Sequence, residues 1–349
     1  MQRHLESCDR CLRVLEQLLA RETDPLVMSL KHSLVSDPFL AEPSCQRAVR
    51  RIALDPQLWQ AENAEKPSPR IAKIGSYRVE EMIAEGGMGI VFRAVHEDLN
   101  KTVAIKLLRS HLPPVPEVVR RFRRECRTLG QMQHPNLVTA FDAGATEGTP
   151  FLVMEYVAGI DLAKLVKRSG VLSAPNACEL VRQAATGLEY AWKKGVVHRD
   201  VKPSNLMLTR DGWGHAIVKV LDLGVARLLN QAKEGAQDDS TLSSDGQIMG
   251  TRAYMAPEQA RDSHDVDTRA DVYSLGATLH ELLTGRPPLP AVGDGPNLSL
   301  LEPVTPPTLL SILRSVLAPD REHRPPSPAA VAQLLAPLAA GHLIESLLS

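Results

Sequence analysis

The spacing of apolar residues changes character near residue 77. Upstream, Cys11, Leu12, Leu15, Leu18 and Leu19 recur at the i, i+3, i+4 interval of an amphipathic helix. Asp24-Pro25 and Asp37-Pro38 each read as a cap followed by proline in a first helical turn. Residues 1–66 are therefore predicted to form a small helical module, with a linker over 67–76 that contains Pro67, Pro69 and Gly75. From Tyr77 the runs become short and strand-like: YRVEEMI, GIVFRAVH and KTVAIKLL, separated by turns. One helix is predicted between Pro116 and Met132, with Val119, Phe122, Cys126 and Leu129 on one face. After FLVMEYVAG the chain reads as mainly helical, and TRADVYSLGATLHELLTG places Leu275, Leu279, Leu282 and Leu283 on one stripe. No repeat of solenoid period is visible. A strand-rich block followed by a helical block predicts an α+β fold, preceded by the helical module.

Composition narrows the function classes. The chain has 349 residues, of which 44% are apolar and 23% charged, values of a globular protein with a sizeable core. With 40 basic against 41 acidic residues, no overall field draws it to nucleic acid. Its five cysteines are scattered and odd in number, which argues against a disulfide framework and for a reducing, cytoplasmic setting. No run of about 18 apolar residues suggests a membrane span. The apolar stretch Ala329–Leu348 is broken by Gln333, Pro337, Gly341, His342 and Glu345, as in a packing helix or two.

The candidate chemistry centres on VHRDVKPSN, where the base candidate Asp200, the cation Lys202 and the amide Asn205 sit close enough in sequence to serve one phosphate. Downstream, Asp222-Leu223-Gly224 ends the strand-like KVLDLG, and Ala256-Pro257-Glu258 closes a loop. Upstream lie the glycine-rich IAEGGMGIVF and the lysine of VAIK. In order and spacing these five elements resemble the eukaryotic-like serine/threonine protein kinases. The resemblance runs from about Tyr77 to Leu338 and implies a bilobal kinase domain over 77–338, with a tail over 339–349.

The resemblance implies a set of roles. Gly86, Gly87 and Gly89 form the loop over the ATP phosphates, and Lys106 is the phosphate-binding lysine, held by Glu125. Asp200 is the base and Lys202 neutralises the transferring group, a lysine that marks serine/threonine specificity. Asn205 and Asp222 supply hard oxygens for Mg²⁺, with Mn²⁺ a possible substitute. Met154, Glu155 and Val157 belong to the hinge, Val91, Ala104 and Met207 sandwich the adenine, and Asp161 faces the ribose. Ser240, Thr241, Ser243 and Ser244 are candidate switch positions in the activation segment, with Arg199 as the phosphate's partner. Gly250-Thr251 matches the substrate shelf, Asp271 the buried acid, and Glu258 with Arg324 the structural brace.

The sequence departs from the family pattern in three places. Ala84 replaces the first loop glycine, and if that position needed positive φ the alanine would cost about 1 to 2 kcal/mol. Leu223 replaces the usual phenylalanine, and PLPAVGDGPNLSLLEPVTPP stands where the family has a helix and a longer connection.

His4, Cys8 and Cys11 are spaced H-x3-C-x2-C, which resembles the zinc-binding motif of bacterial anti-sigma factors. Tetrahedral Zn²⁺ needs a fourth ligand, for which Cys45, His32, water or a residue further upstream qualifies. The other reading is a helix start with two incidental cysteines. The expected activity is ATP-dependent phosphorylation of serine and threonine in proteins, with autophosphorylation and a regulatory partner engaged through residues 1–66. The alternatives are an ATP-binding pseudokinase scaffold, or a transcription-linked interaction protein switched by its kinase.

Overall fold

The computed structural model describes residues 73–86, 89–108, 126–146, 148–223, 253–261, 266–288, 297–301 and 305–348. All of them belong to one compact unit, Ile71–Ser349. The helical module, the zinc motif, Gly87, Glu125, Gly224, the activation-segment serines and threonine, and Gly250-Thr251 lie outside the described residues.

Strands β1 (Lys73–Ile74), β2 (Tyr77–Gly86), β3 (Gly89–His96), β4 (Lys101–Leu108), β5 (Ala140–Thr146) and β6 (Thr149–Glu155) form a six-stranded sheet in the order β1-β2-β3-β4-β6-β5. Every pairing is antiparallel. Side chains alternate across such a sheet, so β4 sends Val103 and Ile105 to an outer core with Ile74, Phe92, Phe151 and Val153. Ala104 and Leu108 take the opposite face and join the main core. Lys106 lies between them in the same register, so alternation alone carries its side chain to that inner face. The sheet begins inside the predicted linker, because Ile74 is fully buried against Tyr77 and Phe92 and gains more there than in an exposed link.

The helical half is built from β7 (Gly159–Asp161), α1 (Leu162–Ser169), α2 (Ala174–Lys193), β8 (Leu206–Arg210), β9 (Ala216–Val220), α3 (Pro257–Arg261), α4 (Arg269–Thr284), α5 (Pro307–Val316) and α6 (Pro328–Leu335). A small antiparallel sheet, β7-β8-β9, lies beside the chain's crossing between the halves. Helix α4 buries Leu275, Leu279 and Leu282, as its stripe predicts, and ends at Gly285 with a left-handed φ of 74°. Gly276 lets α4 approach the end of α5: a methyl group there would lie 2.6 Å from Val316 Cγ2. The bilobal α+β architecture expected from the resemblance is thus formed.

Two segments pack more tightly than their composition suggests. Leu298 and Leu301, in the proline- and glycine-rich departure, are buried in the main core. Residues expected to be a tail also join that core through Ala339 and Ile344, and Leu343 N–H donates to Asn176 Oδ1 at 2.7 Å. Among the described residues, no helix is long and apolar enough to cross a membrane.

Candidate active site

Lys106 is 4% exposed, and its ammonium pairs with Asp222 Oδ2 at 2.7 Å. A buried ammonium needs such a partner, since desolvation alone disfavours the charge. The two residues come from opposite halves: Lys106 from β4, Asp222 from the stretch just after β9. Val91 is the direct cross-strand partner of Lys106, and Ala104 that of Met154. Four of the residues predicted around a nucleotide therefore occupy one region of the sheet.

The VHRDVKPSN run is shaped by a buried acid and a histidine. Asp271, 2% exposed on α4, accepts the backbone N–H groups of His198 and Arg199, each at 2.8 Å. Burial raises the Asp271 carboxyl pKa, and these bonds together with the nearby His198 and Arg199 only partly offset it. His198 Nε2 lies 2.7 Å from the Leu221 carbonyl oxygen, which can only accept, so Nε2 carries the proton. Nδ1 is then free to accept the Asp200 N–H at 3.2 Å. One imidazole thereby aims Asp200 and ties its turn to the residue before Asp222.

Arg199 has φ 67° and Asp222 φ 58°, and with Asn100 they are the left-handed non-glycine residues among those described. Such a backbone costs about 1 to 2 kcal/mol for a residue with a Cβ. Two of the three sit at this site, held by the bonds just given, which is where stored backbone strain usually collects.

Asp200, Lys202 and Asn205 form one hydrogen-bonded cluster. Lys202 Nζ donates to both Asp200 carboxylate oxygens, at 3.0 and 2.9 Å. Asn205 Nδ2 donates to the Asp200 carbonyl at 2.7 Å and to its carboxylate at 3.1 Å. The Leu221 N–H donates to the Asn205 carbonyl at 2.8 Å, a second stitch between this cluster and the Asp222 segment. The Lys106–Asp222 pair and the Asp200–Lys202–Asn205 cluster are thus tied to each other through the backbone of Leu221.

The family model for the protein kinase domain matches residues 77–333. The chain belongs to the protein kinase family. It is 35% identical over 272 residues to the probable serine/threonine-protein kinase PknB of Bifidobacterium longum, covering 72% of this chain and 38% of that protein. It is 40% identical over 235 residues to the serine/threonine-protein kinase PknA of Mycobacterium tuberculosis, covering 65% of this chain and 51% of that protein. The chain spans about half or less of the length of these relatives. Among solved structures, the kinase domain of Mycobacterium tuberculosis PknI superposes with a TM-score of 0.60 at 29% identity, covering 76% of this chain and 98% of that one.

Protein kinases use ATP and Mg²⁺, and the donor set here fits that metal. Asn205 spends its amide hydrogens on Asp200, which leaves Oδ1 as a hard acceptor, and Asp222 has one oxygen beyond the one bound to Lys106. Among the described residues, no group of three or more His, Cys, Asp or Glu is assembled. Two protein oxygens suit a cation that takes its other ligands from phosphate and water.

Other kinase positions have definite places. Gly89 has φ 148°, and a Cβ there would stand 2.1 Å from the Leu107 carbonyl oxygen, so only glycine fits. Gly86 pairs with Gly89 at the tip of the β2–β3 hairpin. Ala84 is paired with Val91 in extended β2 and is not at positive φ, so the expected alanine penalty does not arise. Asp161 is 9% exposed and caps α1 by accepting the Lys164 N–H at 2.8 Å, while Lys164 Nζ holds its other oxygen at 3.0 Å. Leu223 is buried in the main core despite its smaller side chain. Arg324 binds Glu258 through two bonds of 2.6 and 2.9 Å, the predicted brace.

Several participants escaped the sequence reading. Glu155 was expected to offer only backbone, yet its carboxylate pairs with Lys219 on β9 at 3.0 Å. Gln259 Nε2 donates to the Arg199 carbonyl at 2.9 Å and its Oε1 accepts the Ala256 N–H at 3.0 Å, locking α3 to the left-handed turn. A glutamine after Ala-Pro-Glu carries no chemical signal that would single it out.

Proposed function

We propose that the chain is an ATP-dependent protein serine/threonine kinase, transferring the terminal phosphoryl group of ATP to serine and threonine hydroxyls of proteins. The observation that carries this reading is the Lys106–Asp222 pair tied, through the backbone of Leu221, to the cluster of Asp200, Lys202 and Asn205. Asp200 orients the substrate hydroxyl and takes its proton as the oxygen bonds to the γ-phosphorus and the bond to the bridging oxygen of ADP breaks. Lys202, already fixed on the Asp200 carboxylate, neutralises charge on the moving group. Lys106 anchors the α- and β-phosphates, and Asn205 and Asp222 hold Mg²⁺. The metal, when bound there, would neutralise charge on the phosphates. Val91, Ala104 and Met207 enclose the adenine, Met154, Glu155 and Val157 offer backbone at the hinge, Asp161 faces the ribose, and Glu125 positions Lys106.

Autophosphorylation at Ser240, Thr241, Ser243 or Ser244 is part of the proposal, as is a regulatory partner for the predicted helical module at residues 1–66. Zinc at His4, Cys8 and Cys11 is tested by metal analysis of purified protein at neutral pH, where absence of zinc removes it.

Incubation with ATP and Mg²⁺ followed by phosphosite mass spectrometry tests the activity. Phosphoserine or phosphothreonine should form, and Asp200→Asn should lower its rate by about 10² to 10⁴-fold. Equal labelling of wild type and variant would sink the assignment.

A further inference from the structure

A cavity of about 640 Å³ opens beside the hinge, within the range of small-molecule sites. It adjoins the nucleotide region, sharing the hinge residues Glu155 and Val157, while none of Val91, Ala104, Lys106, Met154, Met207, Asp200 or Asp222 lines it. Its charged lining is Arg168 from α1, Arg210 from β8, Lys219 from β9 and Glu155 from the hinge, and Ile160 and Leu348 contribute apolar surface.

Among the described residues the charges do not cancel. Lys219 and Glu155 neutralise each other at 3.0 Å. Arg168 donates to the Leu347 carbonyl at 2.5 Å, and Arg210 donates to the Gly214 carbonyl at 2.9 Å and the Glu345 carbonyl at 3.4 Å. Both arginines are exposed, and these carbonyls bond their guanidinium groups without supplying a counter-charge. Neither arginine has a carboxylate partner among the described residues. A guanidinium has five N–H donors, so both retain donors for a ligand. Guanidinium groups suit bidentate binding of carboxylate or phosphate.

We propose that this cavity binds a small organic dianion, a polycarboxylate or a phosphate ester, with its oxyanions on Arg168 and Arg210 and its apolar part against Ile160 and Leu348. The site also touches the neighbouring nucleotide region: Lys219 is the direct cross-strand partner of Met207, and Glu155 belongs to the hinge. Occupancy at one site therefore shifts affinity at the other without excluding it. The binding claim itself does not depend on the kinase reading, because it is measured without phosphoryl transfer.

Calorimetric titration of the full chain with citrate and, separately, inorganic phosphate, in the absence of divalent cation, tests it. One saturable site is expected for at least one probe; citrate alone points to a polycarboxylate and phosphate alone to a phosphate ester. Arg168→Ala with Arg210→Ala should weaken binding about tenfold or more, the loss expected for charge-assisted bonds. Because both arginines also bond the C-terminal segment, Lys219→Met, which leaves those bonds intact, serves as a second variant and should weaken binding as well. Saturating ATP should change the probe's affinity without displacing it. Unchanged affinity in both variants, binding of neither probe even if an acidic peptide binds, or stoichiometric displacement by ATP would each overturn the proposal.

Discussion

Arg324 spends all five of its N–H groups. Two go to Glu258, and the others to the carbonyls of Ala318, Arg269 and Pro319, at 2.6 to 3.0 Å. The side chain is fully buried, and its planar group lies 5.0 Å from the Tyr273 ring centre. Removing it leaves the largely buried Glu258 carboxylate without its cation. Arg324→Ala should therefore cost about 3 to 5 kcal/mol in chemical denaturation, and Arg324→Lys should recover only part, since an ammonium has three donors and no plane. Glu179 shows the pH side of the same physics. Burial pushes its carboxyl up, but bonds from Arg182 and Gln183 at 2.7 and 2.8 Å outweigh burial and hold the pKa below the ordinary value. A carboxyl whose pKa falls on folding adds stability above its unfolded value, about 4.3, and loses it as pH drops through the lower folded value. Glu179→Gln should flatten the stability profile on that acid side, and an unchanged profile would contradict this.

The elements carry Lys106 and Asp222 to each other, and they differ in how much their sequence announces them. Alternation made β2, β3 and β4 legible, and the leucine spacing did the same for α4. β1 was not legible, because two residues have no period and only the burial of Ile74 defines them. The close of the chain was invisible as core for a related reason: Ala339 and Ile344 are too far apart to form a stripe. The site was legible as a set of motifs through resemblance, but its joints were not. No spacing rule places Lys219 against Glu155, and Arg199 is not a residue type that advertises positive φ, while an aspartate such as Asp222 adopts it only occasionally. Gly89 does advertise it, and it governs the β3–β4 pairing next to Lys106. Gly89→Ala should set a methyl group against the Leu107 carbonyl and cost about 1 to 3 kcal/mol through backbone strain. Faster amide exchange across β3 and β4 is the expected readout, and native protection would refute the clash.

At the scale of the molecule, three contacts tie the elements of the site together. Lys106 reaches Asp222 across the halves, His198 reaches the Leu221 carbonyl, and the Leu221 N–H reaches the Asn205 carbonyl. The proposed base and metal ligands are therefore parts of one framework rather than neighbours by chance. Groups that serve a single transition state lose activity as a unit, not as independent factors. The most direct measurement is kcat/KM for Asp200→Asn, Asp222→Asn and the double variant, each first shown to be folded. The account predicts that the double variant is little worse than the poorer single one. Losses that simply multiply, or a single variant as active as wild type, would contradict it.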